Sequence, residues 1–207
     1  LVDELRQVEE VDFTQSTART GVALVRLRLN EDIYDTDPAW DRVRQAMERA
    51  KAHFEAIDRD FAAHFGRGYG GQIEEYRTEG ADILLVASGS MCGTMKTVID
   101  RRRDRGEAVG LVRLRMYRPF PGERLVEALR GRKAVGVVDR SVGFGLQGGP
   151  IYTEVCSLSA KFGSTPVLSF IDGLANTDVT SDHVEQMLEQ LGAAARGEDC
   201  PEVTWVC

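Results

Sequence analysis

Between Asp82 and Leu191 the sequence alternates four times between a short apolar run and a helix-like segment, and that alternation leaves few folds open. The runs are Asp82–Ala87, Val109–Arg115, Ala134–Val138 and Val167–Ile171. They are aliphatic and β-branched, as buried strands are. The segments that follow predict helices over Met91–Arg105, Glu123–Arg130, Ile151–Phe162 and Ser181–Leu191. Met95, Val98 and Ile99 form the inner face of the first. Thr180 or Ser181 caps the last, with Asp182 or Glu185 as the following acid. Short loops between alternating elements imply an α/β fold, a three-layer sandwich around a mostly parallel sheet.

The flanks read differently. Residues 1–20 are polar and weakly patterned, with a short helix at the start, and Gly21–Asn30 then reads as a strand. Asp37-Pro38 reads as an N-cap carboxylate followed by proline at the first helical position. From there Trp40, Val43, Met47, Ala50, Phe54, Ile57, Phe61 and Phe65 recur at threes and fours. They predict a connector helix with one apolar stripe, roughly 42 Å long and ended by Gly66 and Gly68. His53 and His64 fall off the stripe and read as surface residues. The glycine-rich, charged stretch Gly66–Gly80 reads as a linker. The expected organisation is an extension over 1–36, a connector over 37–80, the α/β domain over 81–191 and a polar tail over 192–207. The apolar ending of that tail, PEVTWVC, is expected to dock on something.

Composition excludes several classes. With 207 residues, 43% hydrophobic and 29% charged, the chain has the makeup of a soluble domain, and no apolar run approaches the ~20 residues a bilayer requires. No secretory leader is legible, so the cytoplasm is the expected compartment, and an opening Leu1 in place of Met reads as a processed chain or a fragment. A net charge of −7 argues against broad nucleic-acid binding, and the one basic run, Arg101–Arg105, reads as a solvated helix end. Cys92, Cys156, Cys200 and Cys207 form no CxxC pair, so no metal or iron–sulfur site is expected in this chain; they read as free thiols, although Cys200 and Cys207 flank a tail short enough to close.

Two loops carry lettering that suggests chemistry. Ser88, Gly89, Ser90 and Gly93 lie between a strand and a helix, where free backbone N–H groups make an anion site; the P-loop ending GK[ST] is absent. Gly143, Gly145 and Gly148 spell G-x-G-x-x-G after the third strand, and Asp172 follows where a ribose-binding acid belongs. Against a dinucleotide, Asp139-Arg140-Ser141-Val142 separate the strand from the first glycine, and two βα units precede it. Only His183 among the three histidines lies in the α/β unit, and no nucleophile–His–acid set is legible.

Four segments, in order, resemble a known family. They are YRTEGADILLVASGSMCGTMKTVID (from Tyr76), VGLVRLRMYRPFP (from Val109), KAVGVVDRSVGFGLQGGPIYTEV (from Lys133) and VLSFIDGLANTDVT (from Val167). Together they resemble the C-terminal part of the α subunit of 2-oxoacid:ferredoxin oxidoreductases such as pyruvate:ferredoxin oxidoreductase. The resemblance covers about Phe65–Leu191, and residues 1–36 show none. It implies a domain like the transketolase C-terminal domain. It also implies membership of an enzyme that oxidatively decarboxylates pyruvate or a relative to acyl-CoA and CO₂. Thiamine diphosphate with Mg²⁺, [4Fe–4S] clusters and coenzyme A contacts would reside in other domains or subunits, among them a thiamine-pyrophosphate-binding β subunit, and ferredoxin would accept the electrons. No catalytic residue is expected here. Arg118, Pro119, Phe120, Pro121, Asp139, Arg140, Ser141, Gly148 and Gly149 lie at strand ends and are expected to form a subunit or domain interface, with Arg118 and Arg140 as polar anchors. A free-standing nucleotide- or anion-binding module, using Ser88–Gly93 or Gly143–Gly149, and an assembly protein built on the long helix are the competing classes.

Overall fold

A computed structural model describes residues 2–19, 22–143, 145 and 148–206, with backbone alone at 18, 19, 22–24 and 176. The chain divides into two compact units, Leu1–Gly71 and Gln72–Cys207.

The second unit holds a six-stranded sheet in the order β3-β5-β4-β6-β7-β8. Its strands are β3 (Ile73–Tyr76), β4 (Ile83–Ser88), β5 (Val109–Leu114), β6 (Ala134–Asp139), β7 (Val167–Ile171) and β8 (Val203–Trp205). Every pairing is parallel except β3 with β5. Helices α3 (Met91–Asp104) and α7 (Ser181–Ala195) cover one face. Helices α4 (Gly122–Leu129), α5 (Pro150–Ser157) and α6 (Ser159–Phe162) cover the other. Strands β4 and β6 are buried along nearly their whole length, because side chains on both pleat faces meet a helix layer. Leu85 and Val138 enter the core under α3 and α7, while Leu84, Val86, Val135 and Val137 enter the one under α4 and α5. This is the three-layer α/β sandwich that the alternation predicts.

The structure enlarges that domain at both ends. The stretch read as linker contains β3, which pairs antiparallel with β5 over Ile73–Tyr76. The tail contains β8, which adds to β7, and Val206 beyond it is buried. Thus the described part of that ending, through Val206, docks on its own sheet. The helix expected over Ile151–Phe162 breaks at Leu158 into α5 and α6. The basic run is solvated only in part, at Arg101 and Arg105. The Arg102 guanidinium is only 13% exposed and pairs with Glu185 and Glu107, while Arg103 donates to the backbone carbonyls of Arg77, Glu79 and Val109.

The first unit comprises α1 (Val2–Arg6), β1 (Val11–Arg19), β2 (Val22–Leu29) and α2 (Asp37–Phe65). The strands β1 and β2 form an antiparallel hairpin, so the weakly patterned N-terminus holds a strand that its polar sequence, VDFTQSTAR, conceals. Gly21 lies outside the described residues. Helix α2 runs 29 residues, with Pro38 in its first turn, but its N-cap is Thr36 and Asp37 is the first helical residue. Its buried side is Ala39, Val43, Ala46 and Ala50, and Val43 and Ala46 pack with Leu5 and Val8. The larger residues of the expected stripe lie elsewhere: Trp40 is 40%, Ile57 65% and Phe65 63% exposed. His53 and His64 are exposed, as read.

Candidate functional site

The carboxyl ends of β4, β5 and β6 carry the three stretches singled out in the sequence, and that of β7 carries Asp172. β5 adds to one side of β4, and β6 with β7 to the other, so the chain reverses direction across the sheet at β4. Open α/β sheets present their functional loops at such a reversal.

The loop after β6 is organised by Asp139. Its carboxylate, 1% exposed, accepts from the backbone N–H of Ile151 and of Tyr152, each at 3.0 Å. Those are first-turn amides of α5, otherwise without a partner inside the helix. Burial pushes the Asp139 carboxyl up to about 6, against the two N–H bonds that hold it down. A side chain at position 149 would put its Cβ 2.1 Å from Asp139 Cγ, and one at 148 would lie 2.5 Å from the Tyr152 ring. Both positions therefore need glycine for close approach, and Pro150 then opens the helix. The α5 N-terminus is thus closed by an acid of its own chain. The same contact disposes of the dinucleotide lettering at that helix, since a phosphate there would meet a buried carboxylate. Phe144, Leu146 and Gln147 in this loop lie outside the described residues.

Arg140, exposed, turns towards the loop after β7. Its Nε donates to the Gly173 carbonyl at 3.2 Å and its Nη2 to the Thr177 carbonyl at 3.3 Å. That loop contains a contact the sequence reading missed. Asp172, 1% exposed, receives the Gly173 N–H and holds His183 Nδ1 at 3.0 and 3.2 Å from its two oxygens. Thr180 accepts the His183 N–H and so caps α7. With the buried carboxylate as acceptor, Nδ1 carries the proton, and the pair ties the end of β7 to the first turn of α7. The signal was present: an acid closing an apolar strand, then Thr-x-x-His at a helix start. Asp172 is therefore engaged inside the fold and not free for a ribose.

After β5, the corner Tyr117–Pro121 folds Arg118 back on its neighbours. Its guanidinium stacks 4.2 Å from the Tyr117 ring centroid, donates to the Tyr117 carbonyl at 2.9 Å, and pairs with Glu154 of α5. Pro119 and Pro121 are buried, as are Asp139, Gly148 and Gly149. Of the nine residues expected at an interface, these five offer no surface, which leaves Arg118, Phe120, Arg140 and Ser141. After β4, Ser90 caps α3 without a side-chain hydrogen bond, and the Gly93 N–H is already taken by the Ser90 carbonyl at 2.9 Å. Lys96, on the same helix, pairs with Glu74 at 2.5 Å and does not serve the Ser88–Gly93 turn. Beside them Cys92 is buried, and burial raises its thiol to about 11.

Among the described residues no group of three His, Cys, Asp or Glu converges to hold a metal ion, and Cys92, Cys156 and Cys200 are unbridged. That donor set does not fit an iron–sulfur cluster. The pairing imagined for Cys200 with Cys207 falls on a residue outside the described ones. Among the described residues, no helix is long and apolar enough to cross a membrane.

Comparison with known proteins gives this fold a family. The pyruvate:ferredoxin oxidoreductase core domain II model matches residues 81–184. The chain belongs to that family. Pyruvate synthase subunit PorA of Methanothermobacter thermautotrophicus is 42% identical over 164 residues, which is 79% of this chain and 40% of that subunit. The α subunit of the NADH-dependent phenylglyoxylate dehydrogenase of Aromatoleum evansii is 36% identical over 164 residues, 78% of this chain and 39% of that one. Ketoisovalerate oxidoreductase subunit VorA of Pyrococcus horikoshii is 30% identical over 99% of this chain and 52% of its own length, so the likeness extends into residues 1–36. The chain thus spans between two fifths and half of these relatives.

Proposed function

We propose that this chain is the transketolase-C-like portion of a thiamine-diphosphate-dependent 2-oxoacid:ferredoxin oxidoreductase. In that reading the assembled enzyme converts a 2-oxoacid and coenzyme A to acyl-CoA and CO₂, and oxidised ferredoxin takes the electrons. Thiamine diphosphate with its Mg²⁺ supplies the carbanion chemistry, and the [4Fe–4S] clusters carry electrons, in other domains or subunits that include a thiamine-pyrophosphate-binding β subunit. The contribution of this chain is a rim of loops at the strand ends, with the exposed Arg118 and Arg140 and the half-buried Phe120 and Ser141 as its contact residues. The observation that carries the reading is the family match over 81–184. In keeping with it, the buried acids at the strand ends, Asp139 and Asp172, are both engaged inside the fold. Reconstitution with the partner subunits tests it. Reduction of ferredoxin that depends on 2-oxoacid and coenzyme A should require this chain and be absent from the chain alone. Full activity of the partners without it refutes the reading.

A further inference from the structure

We infer that Arg140 is a preset fork for one carboxylate of the partner polypeptide, and that Arg118 is not; the inference rests on the subunit reading above. The Arg140 guanidinium is fixed at two points, by the carbonyls of Gly173 and Thr177. It lies directly on the Gly173 backbone, since a Cβ there would come within 2.7 Å of its Nε. Glycine at that position has φ +72°, a left-handed conformation that a side chain would strain as well as block.

Both acceptors are neutral, so the positive charge is undiminished. Among the described residues no carboxylate lies within ion-pair distance of Arg140, and none accepts from its Nη1. The side chain has therefore given up its rotamer freedom in advance while keeping its charge and a planar edge of free N–H groups. That edge matches a carboxylate bidentately. Arg118 contrasts with it, because Glu154 already neutralises its charge and its Nη1 donates to the Tyr117 carbonyl. A single exposed guanidinium holds a free anion weakly in water. Under a partner that excludes water, the same fork becomes an anchor of the kind in which interfaces concentrate their affinity.

A zero-length cross-link tests this in the assembled complex. In the Arg140→Lys chain a water-soluble carbodiimide activates a carboxyl beside the new amine; the amide forms as the carbodiimide leaves as its urea. The expected product joins position 140 to an Asp or Glu of the partner chain. Association of the Arg140→Gln chain should weaken by about tenfold or more, and that of Arg118→Gln by less than about threefold. Hydrogen exchange at amides 173–180 in the uncombined chain shows whether the loop that Arg140 pins is intact. Failure of Arg140→Lys to assemble with those amides unchanged also supports the fork, because a point charge has replaced it. A link only to Asp178 of its own chain, or wild-type association by Arg140→Gln, overturns the inference. So does protection of 139–142 by acetate or inorganic phosphate alone, which would assign the fork to a free anion. If neither 117–121 nor 139–142 gains protection on assembly, the subunit reading itself falls.

Discussion

Replacing Asp139 with Asn should reveal how the fold closes its own helix. The carboxylate gives one oxygen to each of two amides, Ile151 and Tyr152. An asparagine has one acceptor oxygen, so one buried N–H would face an NH₂ group. An unmade buried bond costs about 1–3 kcal/mol, but at pH 7 asparagine also spares the burial of a charge, so Asp139→Asn should lie within about 1–2 kcal/mol of wild type there. The pH dependence carries a second, independent expectation. Folding raises the Asp139 carboxyl from its ordinary 3.8 to about 6. The folded chain thus keeps the proton longer than the unfolded one, and folding takes up protons across that window. The stability this group contributes is complete below its ordinary value and declines as pH rises through about 6. At 1.36 kcal/mol per unit the change amounts to about 3 kcal/mol. Asparagine does not titrate, so the stability of wild type relative to the variant should rise on acidification from pH 7 to pH 4. Urea unfolding followed by Trp205 fluorescence, in a Trp40→Phe background, reads the second unit. A difference that stays constant or moves the other way on acidification would refute the assignment of a buried, proton-retaining cap.

Three further expectations follow from the same geometry. Gly149→Ala drives a methyl into Asp139 Cγ at 2.1 Å, between a strand end and a helix start that cannot both move, and should cost about 1–3 kcal/mol in the same urea titration. Val206→Ala, at a site 5% exposed beyond β8, should cost about 1–2 kcal/mol and free the Trp205 strand first, seen as faster exchange at 203–206 than elsewhere in the sheet. Cys92, with its thiol raised to about 11, should resist iodoacetamide at pH 8 in the folded chain and react only after denaturation; rapid native labelling, located by peptide mass spectrometry, would contradict its burial.

What the sequence concealed lies mostly in contacts between distant residues. The core strands and their helices were legible because both faces of β4, β6 and β7 are apolar, and local composition records that directly. Strand β3 was not, because Ile73 is its one buried residue and Glu74 and Glu75 read as linker charge. Strand β8 has three residues, too few for any period. The stripe on α2 misled for a different reason. The helix buries the small residues Ala39, Ala46 and Ala50, of which Ala46 clusters with Leu5, Val8 and hairpin residues, where close approach favours small side chains, while Trp40 is 40% exposed. At the candidate site, Asp139 finds its partners 12 and 13 residues on, and Arg118 meets Glu154 36 residues away. Spacing of that kind has no local signature. Hence the glycines of the β6 loop suggested a ligand site, although Gly148 and Gly149 answer to steric demands from Tyr152 and Asp139.

The acidic edge strand also bears on how the chain behaves before it meets any partner. An open sheet edge offers bare N–H and C=O groups to the edge of another molecule, the usual route to aggregation. Here β3 is only four residues long, and its Glu74 and Glu75 are engaged by Lys96, Arg113 and Arg124, so a copy pairing along it would have to desolvate those ion pairs. At the opposite margin β8 is only three residues long, too short a ledge for stable pairing. Both margins of the sheet are thereby guarded against pairing with another copy, and replacing Glu74 and Glu75 with apolar residues should lower the solubility of the folded chain.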